Sequence, residues 1–185
     1  MNGHSLLLMA ALLTSAMPAQ AQAQDPPLFS AFKAYCLKAG GDADQIKLAV
    51  EMRGGKPANH PSGITATPWP MTATNWDITV LGHKMNLSVG TSRPAKGPAT
   101  TNCAISSYSD ESDSMEALQK WAGVPRDPNQ PFPEFYNFYL DGATHKPLTD
   151  KNTFRIAEER GNIWTLAIIG KSALQLAHTL PQTPK

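Results

Sequence analysis

The chain has 185 residues, 41% of them apolar and 17% charged, with 16 Lys and Arg set against 15 Asp and Glu for a formal net charge of +1. That balance, without a basic tract, aromatic and basic interleaving or an acidic tail, offers no electrostatic footprint for nucleic acid or a membrane surface. Only two cysteines are present, and beyond the amino-terminal region no apolar run is long enough to cross a bilayer.

Residues 1–23 carry Leu6-Leu7-Leu8-Met9-Ala10-Ala11-Leu12-Leu13, too short for a membrane span, followed by two overlapping Ala-x-Ala sites. This is the pattern of a secretory signal, with cleavage after Ala21 or after Ala23 fitting equally well. It departs from the usual pattern in one respect, because apart from the amino terminus and His4 the n-region has no basic residue. Residues 24–185, roughly 160 in number, are expected to form a single α+β domain burying about 70% of its unfolded surface. A periplasmic or extracellular location is expected, where Cys36 and Cys103 should form a disulfide. Neither cysteine has the Cys-x-x-Cys spacing that depresses a thiol pKa.

Along the mature chain, Phe29, Phe32, Cys36 and Ala39 recur at helical spacing, and Gly40-Gly41 ends the run. Asp42 then has capping-box spacing to Gln45 and opens a second helix through Ile46, Ala49, Val50 and Arg53. Residues 54–75 and 91–100 are rich in Pro, Gly and Thr and read as irregular loops, the first a candidate binding surface. Between them Trp76 to Val89 alternates apolar with other residues on both sides of Gly82-His83, which predicts a hairpin. With Gly82-His83 as a type II′ turn, Val80 faces Met85, Ile78 faces Leu87 and Trp76 faces Val89. A third strand follows over 100–108, with Cys103 and Ile105 on one side. Met115, Leu118, Trp121 and Ala122 mark a crossing helix that Gly123 and Pro125 stop. An aromatic strand runs over 135–140, and residues 152–158 and 163–169 read as a final hairpin in which Phe154 and Ile156 meet Leu166 and Ile168. Residues 171–180 have modest helical character. The expected architecture is a mainly antiparallel sheet of about five to six strands, two amino-terminal helices and one crossing helix.

No cofactor or metal motif emerges. Asp110, Glu111, Asp113 and Glu116 lack the frame of a calcium loop, since Met115 and Trp121 stand where its Gly and Glu belong, and helix capping accounts for them. His60, His83, His145 and His178 share no short spacing of the kind zinc sites use. Ser62 beside His60 lacks the setting of a nucleophile elbow, and Gly40-Gly41-Asp42 is explained by a helix end followed by a helix start rather than a phosphate loop. Tyr108, Phe135, Tyr136, Phe138, Tyr139, Trp69 and Trp121 are candidates to line a groove, although such residues more often fill cores. On the fifth strand, Tyr136, Phe138 and Leu140 share one face and Phe135 and Tyr139 the other.

Phe32-x-x-Tyr35-Cys36 followed by Gly40-Gly41-Asp42, then Cys103-Ala104-Ile105-Ser106 ahead of a helix ending Trp121-Ala122-Gly123, resembles the layout of small exported proteins of proteobacteria. The resemblance covers the mature chain and implies export and the disulfide, but no activity and no functional residue. The expectation from the residues is a non-enzymatic binding module for a protein, peptide or envelope component, acting through loops or a sheet edge. The competing expectation is a small periplasmic hydrolase whose site assembles from separated residues such as His60, Asp110 and Glu134.

Overall fold

The computed structural model describes residues 24–58, 71–93, 97–130 and 132–181, with Met71 and Thr72 as backbone alone. The expected amino-terminal signal, His60, Ser62 and Trp69 lie outside the described residues. Among those described, the chain forms four α-helices and eight strands in one antiparallel sheet. In chain order these are α1 (Pro27–Phe32), α2 (Ala43–Met52), β1 (Lys56–Pro57), β2 (Met71–Val80), β3 (His83–Ser92), β4 (Thr100–Ser107), α3 (Ser112–Ala122), β5 (Glu134–Asp141), β6 (Thr144–Pro147), α4 (Lys151–Glu159), β7 (Trp164–Ile169) and β8 (Ala173–Thr179). The strand order is β1-β2-β3-β4-β8-β7-β5-β6.

The β2–β3 hairpin keeps the expected apolar face but not the expected register. Ile78 pairs with Met85 and Trp76 with Leu87, because the turn is Leu81-Gly82 rather than Gly82-His83. Both central residues have positive φ, +52° and +82°, as a type I′ turn requires. Moving the turn by one residue shifts each partner by two, so the faces are preserved. Leu87 and Val89 continue onto Ile105 and Cys103 of β4, which meet Leu174 and Leu176 of β8. Those leucines in turn face Ile168 and Leu166 of β7. This row is fully or nearly fully buried and forms the floor on which the amino-terminal helices pack.

The disulfide between Cys36 and Cys103 is present, with a Cα–Cα separation of 5.6 Å, and fastens the first helical segment to the centre of the sheet. Leu28, Phe29, Ala31, Phe32, Tyr35 and Cys36 face inward. Asp42 caps α2 as expected, its Oδ1 accepting from the backbone N–H of Asp44 and Gln45 at 2.9 and 3.0 Å. α3 ends at Gly123, where φ is +62°, the left-handed cap that glycine adopts at least cost.

Eight strands replace the expected five to six, and two elements exchange type. Residues expected to be the strand 152–158 form α4 instead. Asp150 accepts from the N–H groups of Asn152 and Thr153 and from the Thr153 hydroxyl, so a helix cap decides the local structure over the Phe154/Ile156 alternation. Phe154 is 44% exposed and does not meet Leu166. Conversely, the helix-forming composition of 171–180 yields β8, a central strand paired on both sides by β4 and β7. Two ladders of hydrogen bonds outweigh an intrinsic preference worth only tenths of a kcal/mol per residue. The last hairpin is therefore β7–β8, turning at Gly170. The other additions, β1 and β6, are two and four residues long and include Pro57 and Pro147.

Candidate functional site

Of the residues expected to combine as a hydrolase, His60 lies outside the described residues, and Asp110 and Glu134 have separate partners. Asp110 precedes α3 and accepts from the backbone N–H and hydroxyl of Ser112 at 3.0 and 2.6 Å and from Lys171 Nζ at 3.3 Å. The Ser112 bonds, helped by Lys171, hold its carboxyl below the usual carboxylate range. Glu134 stands on β5, where its Oε2 accepts from the Tyr136 hydroxyl at 2.9 Å and from Gln119 at 3.3 Å, and its Oε1 lies 3.5 Å from Arg126. Burial, and then the Glu134 carboxylate that the phenol serves as donor, push Tyr136 up to about 12.

The acidic cluster before α3 contains a residue the sequence did not single out for burial. Glu111 is 7% exposed. Its Oε1 accepts from the hydroxyls of Ser107 and Ser109 at 3.1 and 3.0 Å, and its Oε2 from Ser114 at 3.3 Å. His83 Nδ1 lies 4.0 Å from Oε1, beyond hydrogen-bond reach. The serine protons are directed at the carboxylate rather than at an imidazole, so the geometry is not that of a serine nucleophile relayed through histidine. Ser114 Oγ also accepts the Phe29 N–H at 3.2 Å, satisfying a donor in the first turn of α1. This cluster ties β4, α1 and α3 together.

The histidines are likewise dispersed. His145 Nδ1 sits 2.9 Å from the Ala122 carbonyl, and its ring lies against those of Trp121 and Phe138, which also meet edge to face. His178 stacks on Trp164 with 4.1 Å between centroids. No group of three or more His, Cys, Asp or Glu side chains among the described residues could hold a metal ion.

One concave surface does gather groups suited to binding. The inward residues of the first helical segment leave Ser30, Lys33, Ala34, Leu37 and Lys38 on its outer stripe, spaced i, i+3, i+4, i+7 and i+8. Within this segment Lys38 donates its N–H to the Lys33 carbonyl at 3.0 Å, an i to i+5 bond that closes a π-helical turn over Lys33–Leu37. Arg53 arrives from the end of α2. Its guanidinium lies 5.0 Å from the Tyr35 ring centroid and donates to the Ala34 carbonyl at 3.1 Å, which fixes the charge beside the helix. Trp121 comes from α3 and Asp25 from the segment before α1. Together these residues line an open hollow of about 570 Å³, with the half-buried Ala34, Leu37 and Trp121 as its floor. Around that floor stand Lys33, Lys38 and Arg53, with Asp25 paired to Lys33 at 2.6 Å.

Sequence reasoning missed this site because its three cations never form a tract. Its one legible signal is the outer stripe of the first helix, where two of five positions are lysine. The aromatic residues divide as expected on β5, with Tyr136 and Phe138 buried and Phe135 and Tyr139 half-buried; the ring that reaches the groove is Trp121. No helix among the described residues is long and apolar enough to cross a membrane. Comparison with protein-family models, with curated proteins and with solved structures returns no match to this chain.

Proposed function

We propose that this is an exported, non-enzymatic binding module that takes an acidic, partly apolar segment of a protein or peptide in the groove between α1, α2 and α3. The observation that carries the reading is the convergence of Lys33, Lys38 and Arg53 around the apolar floor of Ala34, Leu37 and Trp121. Cations at the rim favour approach of carboxylates, and an apolar floor rewards the side chains between them. The signal-like residues 1–23 and the Cys36–Cys103 disulfide support export. The sheet edges are less suited to adding a peptide strand. β1 is two residues long, and β6 is four residues long and ends in Lys146-Pro147, devices that discourage edge pairing. Asp110 and Glu134 are each committed to separate partners, which favours binding over the hydrolase alternative.

Fluorescence anisotropy of the disulfide-bonded protein with labelled peptides alternating Glu and Leu, or Lys and Leu, tests this reading. The acidic peptide should bind in preference, weaken as salt is raised, and lose about tenfold in affinity to Lys38→Glu. Lys38 is exposed, so that variant should remain folded. Equal binding of the two peptides, or undiminished binding by Lys38→Glu, rejects the groove.

A further inference from the structure

A second surface lies at the β2–β3 hairpin end. Leu81 occupies the turn with φ +52° and is 52% exposed. That left-handed conformation is one that glycine or asparagine adopts at less cost, and the leucine leaves about half of its surface in solvent. Tyr108, just after β4, is 76% exposed. The pairing of Met85 with Ser107 sets Tyr108 next to Lys84. Arg53, Lys56, Lys84 and Tyr108 line a shallow cavity of about 410 Å³, with Asp77 as the carboxylate among its lining residues. Met52, adjoining Arg53, is 79% exposed.

We propose that this end of the molecule docks on an anionic lipid surface, with Leu81 and Tyr108 entering the interface and Lys56 and Lys84 meeting the headgroups. Leu81 at a turn and Tyr108 at a strand end are both exposed, whereas the apolar residues of the peptide groove are half-buried at its base. That suits a bilayer interface better than a peptide. Tyrosine with flanking Lys and Arg is the combination that settles at the level of lipid headgroups, where each cation near a negative leaflet adds attraction that salt screens. The overall charge of +1 conceals this surface because its cations come from two separate segments. The inference is independent of the peptide groove, although Arg53 borders both.

Co-sedimentation of the disulfide-bonded protein with vesicles of phosphatidylethanolamine and phosphatidylglycerol, against vesicles of phosphatidylcholine alone, provides the test. Binding should be confined to the anionic vesicles and fall as salt is raised. Leu81→Asn should weaken it about tenfold, the loss expected for one apolar side chain withdrawn from the interface, without lowering the melting temperature. Lys56→Glu with Lys84→Glu should abolish it, while Lys38→Glu, in the peptide groove, should leave it intact. Equal sedimentation with both vesicle types, sedimentation with neither, or parental binding by Leu81→Asn overturns the proposal. Displacement from the vesicles by soluble polyglutamate with no sensitivity to Leu81→Asn assigns the patch to an acidic protein partner instead, and overturns it equally.

Discussion

Removing the disulfide is the perturbation whose size follows most directly from the fold. Cys36 and Cys103 are separated by 67 residues, and closing a loop of that length restricts the unfolded chain by about 4 kcal/mol near room temperature in the chain-entropy picture. Domains of this size are stable by only about 5–15 kcal/mol, so the loss is a large fraction of the total. Both cysteines are buried, at 0% and 1% exposure. The appropriate variant is therefore Cys36→Ala with Cys103→Ala, since serine would add unpaired buried hydroxyls. For a chain of this length the expected fall in melting temperature is about 10–15 °C, read by circular dichroism at matched pH and salt. Affinity for the acidic peptide, measured well below the melting transition, should be close to parental. A fall of less than about 3 °C would refute the reasoning. Loss of peptide binding in a variant that melts like the parent would instead assign the sulfurs a direct role.

Three further expectations concern the interior. Glu111→Gln replaces an acceptor of three serine hydroxyls with an amide whose nitrogen cannot accept; a stability loss of about 1–3 kcal/mol is expected in urea titrations, and a neutral result removes the carboxylate as the tie between β4 and α3. Gly41→Ala would place a Cβ 2.5 Å from His178 Cβ at φ +74°, so it should cost on the order of 2 kcal/mol, and a parental melting curve would show that the loop does not press on β8. His178 is held below its ordinary value of 6.5 by burial, against a smaller opposing bond to the Gly161 backbone, and its buried Nδ1 has no hydrogen-bond partner among the described residues. Because the unfolded chain takes up that proton first, stability should be fully present above about pH 6.5 and decline as pH falls toward the depressed folded value. His178→Phe should flatten that window, while leaving the separate loss below about pH 4 where Asp110 and Asp150, both held low by hydrogen bonds, become protonated.

Local rules determined much of this protein from its sequence alone. The alternation from Trp76 to Val89 sets a sheet face that survives even a shifted turn, because a displacement of the turn by one residue moves partners by two and leaves side-chain parity intact. The Asp42 cap, the Gly123 stop, the division of β5 into buried and half-buried faces, and the partner of Cys36 were legible for the same reason. Each rests on neighbours in sequence or on a choice among very few candidates. Elements whose identity depends on distant strands were not legible. β8 has a helical composition and becomes a strand because β4 and β7 lie on either side of it. α4 alternates like a strand and becomes a helix because Asp150 caps it. The groove belongs to this second kind. Lys33, Lys38, Arg53 and Trp121 are unremarkable one by one, and a charge balance near zero hides them. Only the packing of α1, α2 and α3 on one sheet face brings them within reach of a single ligand. Electrostatic and apolar contacts act through space, and tertiary structure alone decides which residues share that space.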